Sequence, residues 1–242
     1  MTQFLLLSAY WDYYLMGIIL IPGLLLGIYA QTKVNKAYNK FSKIPNMGGR
    51  TASEVARIIL DAAGCNNVEI KKINGELTDN FNPSTNTVSL STSVCDSTSV
   101  AAIGIAAHEV GHALQHKTNY FPMKLRKVAI VTSNISSTLL WPLVIIGLIF
   151  NFALYSSIGM YMVWAGIIVF GLAALVNLIT LPVEFNASSR ATAILKQSGI
   201  LNETETKQAK KVLDAAALTY VAALVVSILN LLRFLIVVKS RD

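Results

Sequence analysis

The sequence is poor in histidine, cysteine and charge. It has three histidines and two cysteines in 242 residues, and only 14% of the residues are charged. So few cysteines exclude a disulfide-rich secreted scaffold. Cys65 and Cys95 have no C-x-x-C spacing, so we predict two free thiols in a reducing compartment. The low charge and the 54% hydrophobic content argue against an ordinary soluble domain.

Long charge-free segments indicate membrane-spanning helices. No Lys or Arg precedes Lys33, which argues against a secretory signal peptide. The longest charge-free run is Val128–Val183, and the two serines inside Asn151–Gly159 divide it into a hairpin. The predicted spans lie at 13–32, 131–153, 159–181 and 215–238. We therefore expect a mainly α membrane protein with about four transmembrane helices.

The segments between these spans define the predicted domains. Residues 33–127 read as a small α+β zincin-like module, and residues 183–214 as a second polar segment. The other predicted segments are the N-terminal helix 1–32, the hairpin 128–182 and the C-terminal helix 215–242. Residues 33–127 carry 12 Lys and Arg against 7 Asp and Glu, so the positive-inside tendency predicts that this module is cytoplasmic.

Local patterns predict the elements of the 33–127 module. Thr51–Glu54 has the pattern of a helix start, and Gly64 fits the end of that helix. Val68–Ile73 alternates like a short strand, and Thr87–Ser91 reads as another strand. Asp79–Pro83 reads as loop.

All three histidines fall within the nine residues His-Glu-Val-Gly-His-Ala-Leu-Gln-His at 108–116. His108, Glu109 and His112 match H-E-x-x-H. Four residues turn a helix by about 400°, so the two histidines share one face, about 6 Å apart along the axis. Two imidazoles so placed can bind one tetrahedral zinc ion, and Glu109 beside them can take a proton from water. The alternative is a buried helix with incidental histidines; their concentration in one segment favours the metal site.

The strand predicted at Thr87–Ser91 comes shortly before this helix and allows two interpretations. It could present a free edge that forms main-chain hydrogen bonds with an extended substrate. It could equally be an internal strand of the sheet. The sequence does not separate the two.

A catalytic zinc needs a third protein ligand, with the fourth position left for water. On a continuous helix, His116 lies about 12 Å from His108, too far for both to bind one ion. Cys95 qualifies by residue type alone. Glu184 is the better candidate, because it is the first charged residue after the predicted hairpin and follows an even number of spans. An ordinary interfacial glutamate is the alternative.

The residues just before Glu184 allow a prediction about the helix that bears it. Leu181–Val183, which contains a proline, permits a new helix to begin there. That helix would place Glu184, Ser188 and Ala191 along one face.

The segments 108–116, 75–91 and 181–188 resemble the YugP-type membrane zinc metallopeptidases of bacteria, and the likeness covers nearly the whole chain. The chain is similar more distantly to the HtpX-type membrane proteases and the CAAX prenyl endopeptidases. The resemblance implies a gluzincin site in the bacterial plasma membrane, with one Zn²⁺ on His108, His112 and Glu184 and with Glu109 as base. Such relatives are expected to have an acidic residue soon after the ligand glutamate. Here those positions hold Asn186 and Ser188, and either can still hydrogen-bond an imidazole.

These observations predict a membrane zinc endopeptidase that acts on protein or peptide substrates near the bilayer, with its active site facing the cytoplasm. Arg190 or His116 is placed to steady an oxyanion. The alternative is a non-hydrolytic zinc-binding membrane scaffold or sensor. The basic residues are not interleaved with aromatic ones, so no nucleic-acid partner is expected. A homo-oligomer or a regulatory membrane partner stays open.

Overall fold

The computed structural model describes residues 17–126 and 157–239, together with Ile146 and Phe150. The described chain is mainly helical, with one small sheet. Its helices are α1 (Ile21–Phe41), α2 (Ala52–Ala62), α3 (Thr92–Cys95), α4 (Val100–Lys117), α5 (Ser157–Gln197) and α6 (Glu203–Lys239); its strands are β1 (Glu69–Ile73), β2 (Asn80–Asn82) and β3 (Thr87–Ser91).

The chain divides into two compact units. The first, here called the site unit, contains Ala30–Lys124 and Leu181–Thr219. The second contains Met1–Tyr29, Leu125–Thr180 and Tyr220–Asp242. Helices α5 and α6 each supply residues to both units.

Two helices of the described chain are long and apolar enough to cross a membrane. They are Trp164–Gln197 within α5 and Glu203–Arg233 within α6, and they contain much of the predicted spans 159–181 and 215–238. The predicted span 131–153 lies outside the described residues except for Ile146 and Phe150. Of the predicted span 13–32, the described part from Ile21 onward is helical and begins α1.

Helix α5 runs without interruption through Pro182, so the prediction that a new helix begins at Leu181–Val183 is wrong. A helix can accommodate an internal proline at the cost of one main-chain hydrogen bond. Val183, Glu184 and Ala187 follow immediately and are buried on one side of α5, so tertiary packing holds the helix together there.

Helix α6 is also a single element, and it continues from the predicted polar segment 183–214 into the predicted span 215–238. Side chains cap its start. Asn202 Oδ1 accepts from the Glu205 N–H at 2.9 Å, and Glu205 Oε2 accepts from the Asn202 N–H at 2.9 Å. This reciprocal pair satisfies two main-chain donors at the helix start.

The sheet has the strand order β1-β3-β2. β1 pairs parallel to β3, and β2 pairs antiparallel to β3 on the other side. β3 is therefore central, which confirms the internal-strand interpretation of Thr87–Ser91. The prediction of loop over Asp79–Pro83 is wrong for the three residues of β2, because main-chain pairing with β3 gives this short polar segment its extended conformation.

Helices α2 and α4 build the core of the site unit. The predicted start of α2 is confirmed by a capping box in which Thr51 and Glu54 cap each other's main-chain N–H groups. Gly64 follows α2 with φ +65°, a conformation that favours glycine. Helix α4 is buried on almost every side, and its small residues let neighbouring elements pack closely. The core includes Val55, Ile59, Leu60, Val88, Leu90, Val100, Ile103, Val110, Leu195 and Leu213.

Helix α5 approaches α4 closely at Gly111. A Cβ built on Gly111 would lie 2.7 Å from the main-chain oxygen of Ala187 in α5, a separation that real side chains do not reach. The main chain of Ala187 cannot move aside for an added methyl group as the end of a flexible side chain could. Glycine at this position therefore permits the contact between the helix of His112 and the helix of Glu184.

We expect Gly111→Ala to destabilise the protein by about 1–3 kcal/mol, because the added methyl group forces α4 and α5 apart. Thermal unfolding in detergent measures this change. Gly104→Ala is the matched control, because it lies on the same helix and gains the same helix propensity. Its Cβ would lie 3.1 Å from the Ala209 Cβ and 3.5 Å from the Ala209 Cα and main-chain oxygen, which is a much milder overlap than at Gly111. Equal melting temperatures for the two variants would contradict the prediction.

Candidate metal centre

Three metal-ligating side chains converge between α4 and α5. His108 and His112 come from successive turns of α4, and Glu184 comes from α5, 76 positions after His108. One ligand atom from each residue lies within 4.8 Å of the other two. The structure thus brings together the three residues that the sequence nominated as ligands. Within the described chain, His116 and Cys95 are not members of this group.

The donor set fits a zinc ion. His108 Nε2 lies 3.1 Å from Glu184 Oε2, and His112 Nε2 lies 3.6 Å from the same oxygen. Tetrahedral zinc with bonds of about 2.0–2.1 Å separates its ligand atoms by about 3.3 Å. The two imidazole rings meet edge to face, with centroids 4.7 Å apart. Two imidazoles and one carboxylate suit zinc, and three protein ligands leave a fourth position available.

The ionisable side chains of this group are largely buried, so their charges interact strongly. Glu184 is 1% exposed and His112 is 6% exposed, whereas His108 is partly exposed. Glu109, beside His108 on α4, is also buried, at 8%. Two carboxylates held out of water need positive charge nearby, because desolvation of a lone anion costs several kcal/mol. A divalent cation would supply that charge.

The other sequence candidates lie apart from the ligand group. The exposed His116 ring has its centroid 5.9 Å from that of Phe81 on β2. Cys95 is buried and free, and burial raises the pKa of its thiol, which disfavours the thiolate that binds metals. Arg190 donates from Nε to Asn186 Oδ1 at 2.8 Å, and its Cζ lies 5.9 Å from the Tyr120 ring centroid.

Each ligand histidine has a partner for its second ring nitrogen. Ser188 Oγ lies 3.1 Å from His108 Nδ1, on the face of α5 that the sequence predicted for Glu184 and Ser188. Gln115 Oε1 lies 2.9 Å from His112 Nδ1. Sequence reasoning did not single out Gln115. The available signal was its position one helical turn after His112.

The surroundings of His112 shift its pKa. Burial by itself lowers the pKa, but the hydrogen bond to Glu184 and the negative charges of Glu109 and Glu184 outweigh burial, so the pKa of His112 is raised. A raised pKa means that proton binding to His112 stabilises the metal-free fold below the ordinary imidazole pKa of about 6.5. That contribution is lost as the pH rises through the folded-state pKa.

Glu184→Gln should lower the pKa of His112 in the metal-free protein, because it removes the carboxylate charge that favours the imidazolium. Histidine NMR resonances followed through a pH titration in detergent measure this shift. Glu205→Gln is the control, since Glu205 is also buried but caps α6 through Asn202. An unchanged His112 pKa in Glu184→Gln would show that this carboxylate does not govern the titration.

Comparisons with known proteins identify the family of this chain. Residues 16–239 match the model of a family described as "Putative neutral zinc metallopeptidase". The chain is 43% identical over 223 residues to "Putative membrane protease YugP" of Bacillus subtilis (strain 168), an alignment that covers 92% of this chain and 96% of that protein. No solved structure matches the chain. Because the family model covers nearly all of the sequence, including both ligand-bearing helices, the chain belongs to this family of neutral zinc metallopeptidases.

Proposed function

We propose that this protein is a membrane zinc endopeptidase of the gluzincin type. In this proposal His108, His112 and Glu184 hold one Zn²⁺, and Glu109 is the general base. The observation that supports this proposal is the convergence of the three ligand atoms from α4 and α5, together with a second buried carboxylate, that of Glu109, on α4. H-E-x-x-H supplies two ligands and the base of such a site, and a glutamate 76 positions after the first histidine supplies the third ligand.

The reaction assigned to the site is hydrolysis of a peptide bond. Zinc bound here would supply a polarising charge for the scissile carbonyl and for the attacking water. Glu109 accepts one proton from that water while the water oxygen bonds to the carbonyl carbon. Glu109 then delivers the proton to the amide nitrogen as the C–N bond breaks, so a carboxylic acid and an amine leave. The burial of Glu109 keeps its proton exchange directed to the substrate rather than to bulk water.

We assign the protein to the bacterial plasma membrane as a multi-pass protein with its site on the cytoplasmic side. The relative's name as a membrane protease and the two apolar helices support the membrane assignment. The excess of Lys and Arg in residues 33–127 supports the cytoplasmic orientation. Substrates at such a site would be proteins or peptides at or near the bilayer surface.

Zinc content tests the ligand set. We expect about one zinc per chain in detergent-purified wild type and a strong reduction in Glu184→Gln, because an amide is a much weaker ligand than a carboxylate. Elemental mass spectrometry measures both. The control Glu205→Gln removes another buried carboxylate and should retain zinc. Full zinc in Glu184→Gln would remove Glu184 from the ligand set.

Glu109→Gln should retain zinc and lose hydrolysis, because the amide keeps the shape of the side chain but cannot take the proton. We expect cleavage of fluorescently labelled casein to fall at least about 100-fold. Zinc content measured on the same sample separates loss of the base from loss of the metal. Cleavage at the wild-type rate would exclude Glu109 as the base.

The same experiments test the non-hydrolytic alternative. A zinc-binding scaffold or sensor would carry one zinc per chain in both wild type and Glu109→Gln, and neither would cleave casein or membrane-anchored peptides. The buried Glu109 has no obvious use in such a protein, because it adds an anion that is costly to desolvate.

A further inference from the structure

We propose that Gln115, Asn186 and Arg190 form a hydrogen-bonded relay that fixes the tautomer and the orientation of His112. The relay places the proton of the neutral imidazole on Nδ1 and leaves the Nε2 lone pair directed at the metal position. This inference rests on the proposed function, because its purpose is to prepare a zinc ligand. The three residues are positioning residues and do not themselves contact the reacting atoms.

The orientation of the Gln115 amide follows from a partner of unambiguous polarity. One end of the amide lies 2.8 Å from the main-chain oxygen of Val183, which can only accept, so that end must be Nε2. The other end, Oε1, then lies 2.9 Å from His112 Nδ1. An amide oxygen can only accept, so Nδ1 must carry a proton. His112 Nε2 is left with its lone pair, 3.6 Å from Glu184 Oε2.

The second half of the relay ends at a cation. Gln115 Nε2 donates to Asn186 Oδ1 at 3.0 Å, and Arg190 Nε donates to the same oxygen at 2.8 Å. A guanidinium group has no acceptor, so the Asn186 oxygen, rather than its amide nitrogen, must face it. The relay is thus anchored by two groups of fixed polarity, the Val183 oxygen, which can only accept, and the Arg190 guanidinium, which can only donate. The Gln115 amide has no alternative arrangement that keeps its bonds.

Burial makes the arrangement costly to break. Gln115 is completely buried, and an unpaired amide there would lose its solvation without replacement. The relay also links the two ligand-bearing helices, because Gln115 and His112 lie on α4 while Val183, Asn186 and Arg190 lie on α5, as does Glu184.

His108 and His112 differ in the partner of their Nδ1 atoms. The partner of His108 Nδ1 is the Ser188 hydroxyl, which can either donate or accept. Ser188 therefore orients the ring of His108 without selecting its tautomer. The relay selects the tautomer of His112 only, so loss of the relay should affect the two ligands unequally.

The tautomer is read directly by NMR of ¹⁵N-histidine-labelled, metal-free protein at alkaline pH, where the imidazoles are neutral. The chain has only three histidines, so the side-chain spectrum is readily assigned. We expect the Nδ1–H form for His112 in the wild type and a shift towards the Nε2–H form in Gln115→Leu. His108 should change little. An Nε2–H form of His112 in the wild type would overturn the relay.

Zinc affinity, measured by competition with a chromogenic chelator, tests whether the relay strengthens metal binding. Loss of such a partner typically weakens metal binding about 10–100-fold, which is the change expected for Gln115→Leu. Gln208→Leu is the matched control, because it makes the same substitution on α6, which carries none of the three ligands. Wild-type affinity in Gln115→Leu would overturn the relay while leaving the ligand set intact.

Asn186 supplies a second pair of variants in case Gln115→Leu does not fold. Asn186→Asp retains an acceptor between Gln115 and Arg190 and should keep wild-type affinity; Asn186→Leu removes the acceptor and should weaken binding. Equal affinities in the two variants would overturn the relay. A wild type that takes up no zinc but shows the Nδ1–H form, altered in Gln115→Leu, would refute the proposed metal site and support the tautomer assignment.

Discussion

The backbone contact between Gly111 and Ala187 is the constraint on which the rest of the site depends. Gly111 lies between His108 and His112 on α4, and Ala187 lies one turn after Glu184 on α5. Any side chain at Gly111 would separate the two helices and with them the three ligand atoms. The spacing of the candidate metal centre is therefore set by main-chain packing, which the glycine at position 111 permits.

Electrostatics explains why this close packing is compatible with so many buried polar groups. Glu109 and Glu184 bring negative charge into the interior, and the imidazoles and an eventual cation balance it. Gln115 is buried just as completely, yet each end of its amide has a partner. A polar cluster of this kind is stable only when every member is satisfied, so one substitution is expected to affect several neighbours.

Membership of a metallopeptidase family and the geometry of the candidate centre both support a zinc site. The family match covers the chain from residue 16 to residue 239. The structure adds what a family description does not contain: which nitrogen of each histidine faces Glu184, and which groups hold the other nitrogen. Those contacts make the proposed chemistry testable one residue at a time.

The sequence by itself determined the local features: the capping box at Thr51, the strands β1 and β3, and the shared face of His108 and His112. Each depends on residues close together in the chain, where spacing and turn chemistry decide. The strand β2, the continuity of α5 through Pro182 and the role of Gln115 were decided by the tertiary structure. Strand pairing, helix burial and the pairing of a buried amide depend on partners far away in sequence, and spacing along the chain does not reveal those partners.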